Sequence, residues 1–261
     1  FKEYSPSLGI IDSPWVGFNQ FIKFFTAPDF ARILKNTLVI SITSIVFGFP
    51  APIILALLFN ELRNAKFKSV AQTISYLPHF VSLVVVCGLI KTFVSQGGII
   101  FQLATALGAK NVGMLSRPEC FVPIYVLSGI WQEIGWGSII YLAALSSIDQ
   151  ELYEAAKIDG ANKWKQTLHV TLPGIAPTII IMFILRMGSL LSVGYEKVIL
   201  LYNPLIYETS DVISSYVYRV GLGQQSWSYS TAVGLVNSVV NFGIIMLTNR
   251  ISAKYSETSL W

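Results

Sequence analysis

The residues of this chain that could do chemistry fall into two groups, one charged stretch and a set of polar side chains inside apolar runs. The charged stretch, EAAKIDGANKWKQTLHVTLP, runs from Glu154 to Pro173 between two almost wholly apolar runs. No HExxH, GxSxG or paired-histidine spacing occurs. These residues are therefore predicted to bind a partner or a ligand, and no catalytic residue or metal site is predicted.

Elements that hold these groups must be membrane helices. Hydrophobic residues make up 53% of the 261 residues and charged residues 12%, and the mean hydropathy is +0.61. Soluble domains carry roughly 25% charged residues. Five runs reach the length of about 20 residues that a bilayer requires: Thr37 to Phe59, Ile74 to Val94, Phe121 to Leu145, Pro173 to Gly194 and Tyr229 to Thr248. The sequence predicts one all-α polytopic domain over residues 1–261.

The net charge of +4 reflects topology and not nucleic-acid binding, because no basic cluster interleaved with aromatic residues occurs. With the N-terminus outside, lysine and arginine are denser in the cytoplasmic segments. The charged stretch then lies in the cytoplasm, in a loop over 146–172. A sixth span before Phe1 is expected, because it would place both chain ends inside.

The charged stretch itself predicts a short surface helix. Asp149 can cap a helix that starts at Gln150, and Gly160 can end it in a left-handed conformation. Pro173 can open the next span, since the first turn tolerates a missing N–H. Such a helix suits docking into the groove of another protein, although it could instead lie on lipid headgroups.

One residue pattern in this stretch resembles a family. The EAA loop of integral-membrane subunits of bacterial ABC importers is matched at every spacing, with valine in place of the usual isoleucine, by Glu154, Ala155, Ala156, Gly160, Val170, Leu172 and Pro173. The runs GWGSIIYLAALSSIDQELYEAAKIDGA and GYEKVILLYNPLIYETSDVISSYVYRVGL are similar to those of carbohydrate-uptake permeases of the oligosaccharide or multiple-sugar type. The likeness extends over nearly the whole chain.

The resemblance implies a type I ABC importer permease in the bacterial cell membrane. It also implies four further kinds of component: a second similar permease, two cytoplasmic ATPase subunits that bind ATP and Mg²⁺, an extracellular solute-binding protein and a carbohydrate cargo. Glu154 would sit in the ATPase groove. This chain is expected to hold no cofactor, because no GxxxxGK[ST] occurs in it.

A cargo path can be predicted from the polar residues at membrane depth, which are costly unless they are paired or face a cavity. Steps of three and four residues place polar side chains on one face of the third span and on one face of the last. The candidate path residues are Tyr125, Gln132, Glu133, Trp136, Arg186, Asn237 and Asn241. Both faces could instead pack against the partner permease.

Glu133 and Arg186 are predicted to share a depth about 18 to 20 Å from the inner boundary, at 1.5 Å per residue, and to interact directly or through water. Two other classes remain. A membrane enzyme would need a nucleophile, an acid–base pair or a metal cluster, for which no motif is present, and a secondary transporter or channel would leave the surface helix without a role. Within the importer class, a permease for a peptide or an amino acid is the alternative.

Overall fold

A computed structural model describes residues 1–108, 113–256 and 258–260 of the chain. In these residues, the only β-type pairing consists of two isolated bridges, Lys2 with Trp15 and Ser5 with Gly9. Almost everything else that is ordered into regular elements is helical. The all-α prediction is confirmed.

The α-helices follow one another closely along the chain. The first eight are α1 (Gly9–Asp12), α2 (Asn19–Phe25), α3 (Phe30–Thr43), α4 (Pro50–Glu61), α5 (Ala65–Tyr76), α6 (Leu83–Val94), α7 (Ile99–Ala106) and α8 (Pro118–Ser146). The rest are α9 (Gln150–Ile158), α10 (Lys163–Gln166), α11 (Leu172–Met187), α12 (Tyr195–Leu201), α13 (Tyr207–Ser210), α14 (Ile213–Tyr218) and α15 (Trp227–Ser256).

Among the described residues, four helical stretches are long and apolar enough to cross a membrane: Phe30–Glu61, Leu83–Ala106, Lys163–Met187 and Trp227–Ser256. The predicted span Phe121 to Leu145 lies in α8, which has 29 residues but is not one of these four. Its polar pair Gln132 and Glu133 lowers the mean hydropathy of every window that contains it. Polar residues at membrane depth are expected where a helix faces a polar space or a paired group.

The chain divides into two compact units, each made of three separated segments. Unit 1 comprises Phe1–Thr43, Ser82–Ser128 and Ser189–Gly243, and unit 2 comprises Ser44–Val81, Gly129–Gly188 and Ile244–Trp261. In unit 1, Phe24 and Ile33 pack with Ile213, Tyr229 and Val233. The core of unit 2 consists of Ala56, Tyr141, Leu145, Ile148 and Ile175.

The second predicted span, Ile74 to Val94, is interrupted in the structure. Helix α5 ends at Tyr76, a 3-10 turn covers Leu77–Phe80, and α6 begins at Leu83. Pro78 has no N–H to continue an α-helix. Ser82 then starts the new helix by accepting a hydrogen bond from the N–H of Val85 at 3.4 Å. The helical stretch long enough for a membrane therefore runs from Leu83 and not from Ile74.

The fourth predicted span begins earlier and ends earlier than expected. A helix cap at Asn162 starts a continuous helical stretch at Lys163, which passes through a π-helical turn over Thr167–Thr171 and ends at Met187. Pro173 lies in the first turn of α11, as predicted, but the helical stretch already begins at Lys163. The N–H of Leu172 bonds the carbonyl of Thr167, five residues back, and this shifted pattern accommodates the missing N–H of Pro173.

Candidate functional site

The charged stretch forms the predicted short helix, α9. Asp149 Oδ1 accepts a hydrogen bond from the N–H of Glu151 at 3.0 Å, which satisfies one of the exposed donors of the first turn. At the other end Gly160 has φ +74°, the left-handed region that glycine enters without steric cost. The N–H of Gly160 bonds Lys157 O, and the N–H of Ala161 bonds Ala156 O. These two bonds make the Schellman closure of the helix.

One face of α9 is open to solvent. Glu154 and Ala155 are exposed, and Ile158, four residues after Glu154, is 86% exposed. Trp164, just beyond the turn at Gly160, is 70% exposed. The sequence prediction named Glu154 and Ala155 but missed the two large apolar side chains beside them. Exposed apolar residues grouped with charge mark a surface for a protein partner.

Two polar contacts join α9 and the following helix α10 to the rest of unit 2. The hydroxyl of Tyr153 lies 3.0 Å from Thr171 Oγ1, and the ammonium group of Lys163 lies 3.0 Å from the carboxylate of Glu61. Leu172 packs at the edge of the core of unit 2. Residues 146–172, which we call the coupling segment, are therefore joined to α4 through Lys163 and to the start of the following helix through Tyr153 and Leu172.

Three candidate path residues lie on the part of α8 that belongs to unit 2. Gln132 is buried, whereas Glu133 and Trp136 are exposed. Oε2 of Glu133 accepts a hydrogen bond from Nδ1 of His79 at 2.9 Å, and the His79 ring lies flat on the ring of Trp136. The residue before His79 is Pro78, which marks a break within an apolar run.

Arg186 lies on a helix that ends earlier than predicted. Since the helix ends at Met187 and not at Gly194, Arg186 lies in the last turn of α11. The carboxylate of Glu133 bonds His79, and its interaction with Arg186 stays a prediction.

The two candidate asparagines of α15 hold the turn that follows α11. Asn241 is buried; its Oδ1 accepts from the N–H of Leu191 at 3.0 Å, and its Nδ2 donates to Ser192 Oγ at 2.9 Å. Asn237 makes a longer contact with the same hydroxyl, at 3.5 Å. These contacts hold a turn of this same chain, and contact of Asn241 with cargo or with the partner permease stays a prediction.

Tyr125, the remaining candidate, is engaged by a lysine. The backbone carbonyl of Tyr125 accepts a hydrogen bond from Lys197 Nζ at 3.0 Å, and the ammonium group lies 4.8 Å from the centre of the tyrosine ring. Lys197 is buried. The tyrosine therefore helps to hold a buried cation, a role that the sequence did not indicate.

The segment 195–228, which contains the short helices α12, α13 and α14, is held by an ionic cluster that the sequence did not predict. Asp211 is completely buried and accepts two hydrogen bonds from Arg219, at 2.9 and 2.7 Å, and one from Ser215 Oγ at 2.9 Å. Arg32 of α3 lies 3.6 Å from the same carboxylate. Hydrogen bonding to Asp211 raises the pKa of Arg219 above its ordinary value. These contacts pack the segment against α3.

Comparison with known proteins places these features in a family. Residues 48–256 match the model of the family described as binding-protein-dependent transport system inner membrane component. The chain belongs to this family, so it is a membrane-embedded subunit of an ABC importer with the type I fold, and it is not an enzyme.

Two relatives from Bacillus subtilis (strain 168) match the whole of this chain and 82% of their own length. One is Protein LplB, which is 46% identical over 262 residues. The other is the polygalacturonan/rhamnogalacturonan transport system permease protein YteP, which is 44% identical over 262 residues.

Solved structures give the same result. A chain of a bacterial alginate ABC transporter, crystallised in complex with an alginate pentasaccharide-bound periplasmic protein, superposes with a TM-score of 0.90 at 45% identity. The match covers 94% of this chain and 85% of that one. An amino acid ABC transporter matches with a TM-score of 0.56 at 16% identity, a likeness of fold alone.

Proposed function

We propose that this chain is one transmembrane subunit of an ATP-driven importer in the bacterial cell membrane and forms part of the path of an oligosaccharide. The observation that carries the proposal is the likeness over the whole chain to transport proteins of acidic polysaccharides. YteP is named for polygalacturonan and rhamnogalacturonan, and the solved relative is an alginate transporter. Other relatives are named for arabinooligosaccharides and diacetylchitobiose.

The exposed face of α9 supports a role in energy coupling. A helix with a fixed start at Asp149 and a fixed end at Gly160 presents Glu154, Ala155 and Ile158 as one rigid surface. Two cytoplasmic ATPase subunits that hold ATP and Mg²⁺ are the proposed partners of this surface and of its counterpart on a second permease. Movement of the ATPase would reach the membrane helices through Tyr153, Lys163 and the continuous helix to Met187.

An extracellular binding protein is the proposed donor of the cargo. The solved alginate transporter was crystallised with a periplasmic protein that holds a pentasaccharide. The peptide or amino acid alternative has less support, because the amino acid transporter among the solved structures shares only the fold.

The test is uptake by the complete complex in proteoliposomes. The chain is purified with its partner permease, ATPase and binding protein, and two labelled probes are supplied: a galacturonate trisaccharide and an arabinose trisaccharide. We expect ATP-dependent uptake of at least one of them. Uptake of neither sugar, together with uptake of a labelled peptide or amino acid, would reject the proposal.

Coupling is tested separately by Glu154→Lys. Glu154 is exposed, so the fold should be kept. We expect uptake to fall by about tenfold or more, since an unmatched charge in a closed protein interface costs on the order of 2 to 5 kcal/mol. Glu208→Lys, a charge reversal at an exposed residue of α13, is the matched control and should have little effect. Equal uptake by the Glu154 variant and the control would remove the coupling role.

A further inference from the structure

Residues 1–29, which we call the N-terminal platform, lie against the start of α15. The N–H of Tyr4 donates a hydrogen bond to Ser228 Oγ at 2.6 Å. The buried ring of Phe24 packs edge-on against the ring of Tyr229, with ring centres 6.4 Å apart. These contacts fix the platform to the first turn of α15 within unit 1.

The other side of the platform exposes a row of large apolar side chains. Phe1 stacks on Trp15, with ring centres 5.7 Å apart, and stands edge-on to Phe18 at 5.3 Å. Ile22 and Phe25 follow Phe18 at steps of four and three residues, so they lie on the same face of α2. Trp15, Phe18, Ile22 and Phe25 are all more than half exposed. The described part of the chain leaves this row uncovered.

One turn of the platform carries two isoleucines at its surface. Ile10 is 77% exposed and Ile11 is 86% exposed. The ammonium group of Lys2 donates hydrogen bonds to the backbone carbonyls of both, at 3.0 and 2.6 Å. A carbonyl without a donor is strongly disfavoured in an apolar environment. Because Lys2 supplies that donor, the turn can lie in an apolar environment with both carbonyls bonded.

A cavity of about 410 Å³ lies between the platform and α15. Phe1 and Phe21 form part of its platform wall. Its other wall contains Trp227, Thr231 and Leu235, which recur every four residues along one face of α15. These three positions span about 12 Å of the helix at 1.5 Å per residue. A mainly apolar cavity that follows a membrane helix in this way fits a hydrocarbon chain.

The platform lies at the ends of two membrane helices. The membrane-crossing stretches Phe30–Glu61 and Trp227–Ser256 both begin beside it. The ring of Phe25 contacts the ring of Phe30, with ring centres 5.3 Å apart. Tryptophan and other aromatic side chains are typical of the lipid headgroup level. With the N-terminus outside, as predicted, this level belongs to the outer leaflet.

The charges of the platform indicate how it would hold a lipid. Its two lysines are outnumbered by three acidic residues, which gives a net charge of −1. Lys2 bonds two carbonyls of the platform, and the ammonium group of Lys23 lies 5.2 Å from the centre of the Tyr229 ring. No cluster of basic residues is present for an anionic headgroup. The platform therefore fits a lipid through apolar contact and not through headgroup charge.

A protein that docks and leaves explains the exposed row less well. Transient protein interfaces are about as apolar as the rest of a protein surface. A row of exposed aromatic and aliphatic side chains would return to water each time such a partner left, whereas lipid covers it continuously. Apolar faces of interfacial segments are typically immersed by about 5 to 10 Å in the headgroup and acyl boundary.

We infer that the N-terminal platform is a lipid-binding site of the outer leaflet. Its exposed row lies in the interface of the bilayer, and the cavity beneath it holds one acyl chain of a phospholipid. The chain completes the packing between the platform and α15. The site is independent of the cargo, because neither the exposed row nor the cavity contains a residue predicted for the transport path.

The experiment uses the complete complex in nanodiscs of phosphatidylcholine. Two photoreactive phosphatidylcholine probes are compared, one with a diazirine in the middle of an acyl chain and one with a diazirine beside the glycerol. Cross-linked peptides are located by mass spectrometry. We expect the acyl probe to label peptides that contain Phe21 and Leu235, and the glycerol probe to label residues 10–18. Nanodiscs of phosphatidylglycerol should give the same labelling, because the platform has no basic cluster.

Thr231→Trp is designed to fill the cavity. Thr231 is exposed, so the complex should still assemble, which retention of the partner permease during purification verifies. We expect labelling of the Phe21 peptide by the acyl probe to fall by about tenfold, because a close-packed site has no room for both an indole and an acyl chain. Val239→Trp is the matched control. Val239 is 61% exposed on α15 but does not line the cavity, so this variant should be labelled as the wild type is.

Three results would overturn the lipid site. Labelling of other membrane helices without labelling of the Phe21 and Leu235 peptides would show that water or protein covers the platform. Labelling that disappears when the loaded binding protein is added would assign the surface to that protein. Equal labelling of the wild type and Thr231→Trp would show that the acyl chain does not enter the cavity.

Discussion

Arg219 donates a hydrogen bond from each of its two terminal nitrogens to Asp211, one to each carboxylate oxygen, and Asp211 is completely buried. The guanidinium group also lies 4.9 Å from the centre of the Tyr207 ring. The backbone carbonyl of Asp211 accepts from Asn36 Nδ2 at 3.0 Å, so the pair is connected to α3. One carboxylate thus ties the segment that follows α12 to the first long helix.

Removing this carboxylate should be one of the most damaging single changes in unit 1. Asp211→Ala leaves Arg219 and Arg32 without their shared partner, and a broken buried pair costs about 3 to 5 kcal/mol. We expect a lower thermal unfolding temperature of the purified complex. The double variant Asp211→Ala with Arg219→Ala should lose less than the sum of the two single losses. Strictly additive losses would contradict the coupling.

A second ion pair provides the control for that experiment, because one of its partners is exposed. Glu119, whose side chain is 57% exposed, lies 3.0 Å from Arg117, whose side chain is 18% exposed. Removing the exposed partner, in Glu119→Ala, should cost below about 1 kcal/mol, as is usual for pairs in contact with solvent.

At Gly160, in the turn after α9, the effect of a substitution should depend on how readily the new residue adopts a positive φ and not on the size of its side chain. A Cβ on Gly160 would meet nothing within 4 Å, but the residue has φ +74°. Gly160→Val should strain the turn by about 1 to 2 kcal/mol and reduce uptake per ATP hydrolysed. Gly160→Asn should be milder, because asparagine enters the left-handed region more readily. Equal uptake by both variants and the wild type would show that the turn does not transmit movement.

Asn241 is expected to act through the turn over 189–194. Asn241→Ala removes the acceptor for the N–H of Leu191 and the donor to Ser192, which should cost about 1 to 3 kcal/mol. Amide hydrogen exchange in 189–194 should become faster. Asn237→Ala, which loses only the 3.5 Å contact, should change exchange much less. Unchanged exchange in the Asn241 variant would show that the turn is held by other contacts.

Gly135 is expected to reject even a methyl group. A Cβ there would overlap the backbone carbonyl of Ser75, and backbone cannot move aside as a flexible side chain can. Gly135→Ala should destabilise unit 2 by about 1 to 3 kcal/mol through overpacking. Gly88→Ala, at a helical site with nothing within 4 Å, is the control and should leave stability unchanged or raise it. Similar yields and unfolding temperatures for the two variants would refute the close approach.

Local signals made the coupling segment predictable. The cap at Asp149 and the left-handed turn at Gly160 depend on residues a few positions apart, and both are found as predicted. Long apolar runs likewise predicted the membrane helices. The ends of those helices could not be predicted as well. The cap at Ser82 and the π-helical turn before Pro173 shift the ends, and neither feature changes the hydropathy of the sequence.

Contacts between distant residues were not predictable in this way. Asp211 and Arg219 are eight positions apart in a segment without helical periodicity, so no spacing rule joins them. His79 and Glu133 are 54 positions apart. The predicted interaction of Glu133 with Arg186 rests on depth, which carries no information about which way a helix is rotated, and it stays a prediction.

The π-helical turn over Thr167–Thr171 sets how far α9 and α10 are rotated about the helix axis relative to α11. Such a turn holds one residue more than the α-helical pattern requires. A chain one residue shorter here could run straight from Lys163 to Met187, but everything before the turn would rotate by roughly 100° about the helix axis. Tyr153 would then point away from Thr171, and Glu154 would face a different quadrant. The number of residues in this turn, and not only their types, therefore sets the direction in which the exposed face of α9 points.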